Sequence, residues 1–483
     1  MPAWLERLRG LRDRRSAGGP DPILEGKIAP TLLGLSIPMI MAMVLVTFYG
    51  LVDMFYLGRF SKEAMAAVGL AFPVTYLLHT FGGALGSACT STCSRLIGGG
   101  RQDEVPNLLL HVILLSAVVA VLLIPTGLGL LGLEPTLNSP DTDPTVYRMA
   151  REYGFIYFLG GFFSLFAMSV NALFRGEGDT MFPFKVMALG LLLNVILDPI
   201  FIFGLGPAPR MGVAGAAVTT VASFAAASLL VLRETLVNHN RKVRLRRGVW
   251  RYRPDLVRDL LQVAGPASLA NLALPISVFM INAMVAGFGT ATVAGYAAAR
   301  VIHSIVFLPT LGLSMSMMIM VGQNHGAGRR DRVREITLTA LRWALILVAV
   351  LALPIVIWPA WALGWVTDQR EVIAAAEPLV RWGTATRPML GIINVTAFWF
   401  QAKGNGPAGM VPNSVLRVVA EPLGVLLGLQ VAGLYGAWVG FAIGDLVAGV
   451  VFLGVLWWRL GAYGRGWVPA GAVAGGRPDH RIP

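Results

Sequence analysis

The sequence predicts an all-α membrane protein with twelve transmembrane helices in two six-helix lobes, related by a parallel pseudo-twofold repeat. Three observations carry this. Hydrophobic residues make up 55% of the 483 positions and charged residues only 13%, where a soluble domain carries about 25% charge on its surface. Apolar runs of the length that spans a bilayer recur along nearly the whole chain. Sequence landmarks also recur after 228 positions, as with Pro38 and Pro266.

In order, the N-terminal segment 1–29 carries Arg7, Arg9, Arg12, Arg14 and Arg15 without an uncharged apolar core, so no cleavable signal is read there. With Trp4, Leu5, Leu8 and Leu11 it reads as a short amphipathic helix on the membrane surface. The first lobe, 30–232, holds runs at 31–57, 65–92, 108–132, 150–173, 182–204 and 212–232. A basic linker, 233–258, joins it to the second lobe, 259–458. The second lobe's runs lie at 260–287, 293–321, 338–364, 379–400, 411–430 and 434–458. The tail 459–483 is rich in Gly, Ala and Pro and reads as disordered. The Gly436, Gly440, Gly444 ladder and the Gly82, Gly86 pair are expected to let helices approach closely inside the bundle.

Net charge is +13, and the basic residues lie in the gaps between apolar runs. Anionic lipid headgroups, not nucleic acid, are the expected partner. Alternating sides along twelve spans collects the linker arginines, Arg95, Arg101, Arg175, Lys185 and Arg329 to Arg334 on one face. By the excess of Lys and Arg on the inner side, both termini are expected in the cytoplasm. The segment Glu134 to Asp143 falls outside and is acidic.

The repeat is consistent across two loops: Gly98, Arg101 and Asp103 meet Gly326, Arg329 and Asp331. Arg175-Gly176-Glu177-Gly178 meets Lys403-Gly404-Asn405-Gly406. The register then slips, pairing Gly212 to Ala216 with Gly433 to Ala437. An even number of spans per repeat makes it parallel, and two facing bundles leave a cleft that rocking opens to either side.

Ionisable groups at membrane depth cost on the order of 3 kcal/mol, so they point to function. The carboxylates are Asp53 in the first span, Asp198 in the fifth, Glu421 in the eleventh and Asp445 in the twelfth. Asn194 stands one helical turn before Asp198, on the same face. Pro199 bends the helix there or frees a carbonyl. The repeat mate of Asp53 is Ile281, so the second half lacks that carboxylate. Asp53 and Asp198, if they share a dry pocket, either trade a proton or ring Na⁺ together with Asn194 and a threonine. Glu421 follows Arg417 by four, a salt-bridge spacing. Arg300, His79 and His303 are also at membrane depth, and Arg300 is the main basic group there. Met315, Met318, Arg300 and Glu421 are candidates for a substrate cleft, with Met315 to Met320 an adaptable surface.

Other chemistry is excluded. Gly127 to Gly132 fits G-x-G-x-x-G but ends a membrane span with no strand before it. No phosphate-binding loop, H-E-x-x-H or nucleophile elbow occurs, so neither an enzyme nor an ATP-driven pump of that type is expected, and the energy source should be an ion gradient. Cys89 and Cys93 share one helix face without further ligands and read as packing residues.

The chain resembles the multidrug and toxic compound extrusion (MATE) family over about 30–458. The resemblance rests on Leu51-Val52-Asp53 with Leu57-Gly58-Arg59, Phe174 to Thr180, Asn194 to Gly204, Val321 to Gly328 and Phe400 to Gly404. It implies antiport of H⁺, ahead of Na⁺, against organic and often cationic amphiphiles by alternating access, from a bacterial inner membrane and without a cofactor. A monomer is expected. It further implies a cation site at Asp53, Asn194, Asp198 and Thr220, the last beside an adjacent Thr219. No acidic residue lies between Leu260 and Gly287, which is similar to the DinF-like branch. A flippase for a lipid-linked precursor in a related fold is the alternative.

Overall fold

The computed structural model describes residues 21–137, 143–246 and 248–464. The amphipathic segment expected at 1–15, residues 138–142 of the acidic loop, Arg247 and residues 465–483 of the tail lie outside the described residues. The side chain of Arg417, expected to pair with Glu421, lies outside them too.

Among the described residues all regular structure is helical. The first half holds α1 (Ile28–Phe60), α2 (Lys62–Gly98), α3 (Val105–Leu137), α4 (Pro144–Leu159), α5 (Gly161–Glu177), α6 (Met181–Phe203) and α7 (Val213–Val237). The second holds α8 (Pro254–Val285), α9 (Thr290–Gly326), α10 (Arg330–Ile357), the short α11 (Pro359–Leu363), α12 (Arg370–Ala385), α13 (Arg387–Ala402) and α14 (Gly406–Gly464).

Twelve spans result among the described residues, though four differ in form from simple rods. The fourth is α4 plus α5, bent by 48° at Gly160. The tenth is its repeat mate, α12 plus α13, broken at Thr386. The last two are the arms of α14, separated where Ala432 and Gly433 leave helical geometry and Gly433 takes φ 59°. That positive φ favours glycine, which explains the residue at the turn. The expected ladder closes this hairpin: Gly440 lies on the Gly424 backbone, Gly436 on Gly428 and Gly444 on Ala420. The other pair behaves alike, Gly82 meeting Met168 and Gly86 meeting Ala172 across α2 and α5.

The lobes do not pack strictly by chain half. The first turns of α1, with Ile28, Leu32 and Leu35, are buried in a core built from Met317, Ile336, Ile393, Trp399 and Phe452 of the second half. Farther along, Leu57 joins a core of first-half residues such as Ala67 and Phe158. Helix α8 does the reverse. Leu256, Leu260 and Val263 are buried with Leu109, Leu173 and Val231, while Ile281 and Val285 join Ile302 and Trp438. Each half thus lends the beginning of its first helix to the other.

The linker, non-helical over 238–246 and 248–253, docks on the first half. Arg241 is its anchor, giving Nε to Glu234 at 2.6 Å and Nη2 to Asp179 at 2.9 Å, with Glu177 at 3.8 Å. The guanidinium also lies 4.8 Å from the Phe174 ring centroid and 5.1 Å from that of Phe182. Burial alone would lower the Arg241 pKa, but Asp179, Glu177 and Glu234 outweigh it and hold it above the usual value. Asn107 receives the Arg251 N–H and donates to its carbonyl, and the Arg253 N–H reaches the His111 ring.

Candidate functional site

Three helices of the first half bring the site together. Helix α6 supplies Asn194 and Asp198, four residues apart and therefore on one face. Both are fully buried. The Asn194 Nδ2 donates to Asp198 Oδ1 at 3.2 Å. Helix α1 presents Asp53, whose carboxyl faces that of Asp198 with the Asn194 amide alongside. Helix α7 contributes Thr219, whose hydroxyl donates to Asp198 Oδ1.

The threonine on the carboxylate is therefore Thr219, where the resemblance implied Thr220. Successive helical residues point about 100° apart, so only one of the two can face Asp198. The Thr220 hydroxyl lies instead beside the Tyr49 hydroxyl. Pro199 frees a carbonyl, as expected. Lacking an N–H, it cannot serve the Val195 oxygen one turn back, and the Tyr56 hydroxyl from α1 reaches that oxygen at 3.4 Å. The vacancy in the helix ladder thus ties α6 to the helix that carries Asp53.

The electrostatics of the pocket are one-sided. Among the described residues, Asp53 Oδ1, Asp198 Oδ2 and Asn194 Oδ1 are buried acceptors without a hydrogen-bond donor. Two carboxylates cannot both stay ionised side by side in a dry bundle without a counter-charge. The arrangement can accept a proton, which both carboxyls would share, or a hard cation held by oxygens. Among the described residues no group of three or more His, Cys, Asp or Glu side chains gathers to hold a metal, this pocket included. An aromatic wall adjoins the pocket. Tyr153 stacks on Tyr157 at 5.9 Å, the Tyr157 hydroxyl meets His79 Nε2 at 2.8 Å, and Tyr49 stacks on Phe224 at 6.3 Å.

The cleft candidates of the second half separate: the two methionines belong to the apolar core, whereas Glu421 and Arg300 both lie within electrostatic reach of Tyr296. Met318 is fully buried in the apolar core with Leu32 and Ile336, and Met315 packs against the same core. Successive methionines at mixed spacing point to several sides of α9, and the interior took them because thioethers fill irregular gaps. Glu421 is buried too, accepting from the Ser277 hydroxyl of α8 at 3.1 Å. Arg300 alone of the four is exposed, within electrostatic reach of Tyr76 on α2.

Arg300 is not the main basic group at membrane depth. Arg387, on the first turn of α13, is buried, with Nη1 3.5 Å from Asp445 Oδ2 and Nη2 2.9 Å from His303 Nδ1. The Thr386 hydroxyl also approaches Asp445, at 3.5 Å. An arginine inside the apolar run 379–400 was a visible signal. What the sequence could not show is that Asp445, 58 positions on, neutralises it.

Comparison with known proteins bears on this geometry. The sequence profile described as MatE matches residues 38–200 and again residues 266–426. The chain belongs to the MatE family. Its two matches begin at Pro38 and Pro266, the same 228-residue displacement read from the sequence. Among curated MatE relatives, the chain is 26% identical over 428 residues to a FAD transporter of Shewanella oneidensis, covering 89% of this chain and 94% of that one. It is also 26% identical over 437 residues to a probable multidrug resistance protein NorM of Thermotoga maritima, covering 89% and 91%. A solved MOP superfamily transporter from Pyrococcus furiosus superposes with TM-score 0.85 at 25% identity, over 92% of this chain and 98% of that one. A crystal structure of MATE in complex with MaL6 gives TM-score 0.86 at 25% identity, over 92% and 99%. This MatE chain is accordingly a multi-pass membrane transporter.

Proposed function

We propose that the chain is a secondary active exporter of the DinF-like branch, antiporting H⁺, or else Na⁺, against organic and often cationic amphiphilic compounds by alternating access. The face carrying the basic linker is the cytoplasmic side of a bacterial inner membrane. Three unserved acceptor oxygens on two facing carboxyls and an amide support the ion site: Asp53, Asn194 and Asp198, completed by Thr219. Nothing basic among the described residues pairs with either carboxylate, so a mobile cation supplies the counter-charge.

The cycle follows from charge balance. With the site emptied of its ion, the pair carries negative charge beside the aromatic wall of Tyr49, Tyr153 and Tyr157, an environment that favours a cationic amphiphile. An ion arriving from outside cancels that charge and releases the compound. The ion then leaves to the cytoplasm as the lobes rock, and the site is free again. Competition for one charge, without simultaneous occupancy, is the coupling.

Dye efflux from proteoliposomes, with H⁺ and Na⁺ gradients imposed separately, tests this. Wild-type protein should respond to one gradient, and Asp198→Asn should insert normally yet lose gradient-driven efflux. Normal efflux in Asp198→Asn, with the protein folded, overturns the site.

A further inference from the structure

We propose that the crossing of α2 and α9 at the linker face is a gate built on the pseudo-twofold axis, and that the Arg95–Asp259 ion pair is its latch. The inference rests on the alternating-access reading above, which needs one face sealed while the other is open.

The crossing is reciprocal in a way that the repeat makes visible. Gly98 lies directly on the Gln323 carbonyl, so that a Cβ there would enter its van der Waals envelope. Gly326 lies in the same manner on the Arg95 carbonyl. Displacement by 228 positions turns Gly98 into Gly326 and Arg95 into Gln323, so each contact is the image of the other. Ser94 sits at the centre: its Cβ is 2.7 Å from where a Cβ on Gly322 would stand, and Gly322 is its own repeat mate. The axis relating the halves therefore passes between Ser94 and Gly322. Backbone on backbone leaves no passage at the Gly98 and Gly326 contacts, because the atoms that would have to yield there are main chain.

A second ring repeats the symmetry. Gln323 Nε2 donates to the Gly176 carbonyl at 2.9 Å, at the end of α5 in the opposite half. The Arg95 guanidinium lies under Gly404, with Cζ 2.9 Å from the position of a Cβ, and Gly404 is the repeat mate of Gly176. The Ser91 hydroxyl donates to the Gln401 carbonyl just before that turn. Each long helix thus ends in a socket formed by the other half's glycine turn.

Charge breaks the symmetry. Arg95 Nη2 is 3.2 Å from Asp259 Oδ2 on α8, the arginine side chain 14% exposed and the aspartate 44%. The repeat mates of this pair are Gln323 and Thr31, which carry no charge. A single ion pair at the rim adds to closure while remaining weak enough to part, since a pair half open to solvent shifts an equilibrium by only about fivefold. The glycines set how closely the halves can approach, and the pair biases the closed state.

Spin labels at Asp103→Cys and Asp331→Cys, exposed repeat mates flanking the crossing, report its opening in nanodiscs. The native Cys89 and Cys93 are buried and do not compete. Wild type should give one dominant short distance. Gly98→Val should convert nearly all molecules to longer distances. Arg95→Gln and Asp259→Asn should each raise the long-distance fraction about fivefold, and the double reversal Arg95→Asp with Asp259→Arg should restore the short one. If Gly98→Val fails to fold, Asp259→Asn, at a half-exposed position, carries the test. Unchanged distances in folded Gly98→Val, or in both Arg95→Gln and Asp259→Asn, overturn the gate. Responsive distances in a protein that moves no substrate uphold the gate and remove the transport reading.

Discussion

Replacing Arg241 by Ala should loosen the first half of the molecule more than any other single change in the linker. The residue donates to Glu234 and Asp179 and lies 3.8 Å from Glu177, with only 8% of its side chain exposed. Its removal leaves three carboxylates facing one another, with exposures of 11%, 19% and 20%. Removing one partner of a buried ion pair costs about 3–5 kcal/mol. Because all three carboxylates touch solvent, the lower figure applies, about 3 kcal/mol. For a half of this size, about 2–4 °C is lost per kcal/mol, so the apparent melting temperature should drop by about 6–12 °C. Arg241→Lys, which keeps the charge and loses the planar fork, should fall in between. The assay is thermal challenge in detergent followed by size-exclusion chromatography. The decisive comparison is Arg241→Met combined with Glu177→Gln, Asp179→Asn and Glu234→Gln, which should recover most of the loss because no carboxylate is left unpaired. A drop below about 2 °C in Arg241→Ala, or no recovery in the combined variant, would refute the assignment of Arg241 as the anchor.

Two further outcomes join the Asp198 and gate experiments. Thr219→Val should slow ion-driven efflux about tenfold or more, the effect of losing a hydrogen bond to a charged group, while Thr220→Val should change it less than threefold; equal effects would mean that both hydroxyls serve the ion. Burial, and then the charge of Arg459, push the Lys403 amine down to about 7, against the Trp399 ring face 3.7 Å away, which favours the charged form. Its acylation by an amine-directed reagent, followed by mass spectrometry, should therefore climb through pH 7 and level off by about pH 8; a rate still rising tenfold per unit above that would show that the ring wins.

The lobed architecture was legible because lipid imposes a simple demand. Every spanning segment must be apolar and helical, so twelve runs and a 228-residue period were enough to give the layout. Asp53, Asn194 and Asp198 stood out for the same reason, as polar groups where polarity is costly. The choice between Thr219 and Thr220 was not legible. It depends on the rotation of α7 about its axis, which small residues on several faces leave open. Nor was the mutual loan of α1 and α8, because an apolar stripe does not state which half it will face. The methionines of α9 misled for a related reason, being equally suited to a ligand surface and to an interior. Arg387 was visible as a charge, but its neutralisation by Asp445 is a long-range fact of packing.

The loan of α1 to the second half bears on how the protein is made. When the ribosome has completed residues 30–232, Leu32 and Leu35 have no mate, because Met317, Ile393 and Phe452 are still to be synthesised. The early half must wait in the bilayer with a sticky stripe uncovered, and only the arrival of the late half closes it. A chain truncated at the linker should therefore be a substrate for membrane proteases, and the two halves expressed as separate polypeptides should protect each other from them.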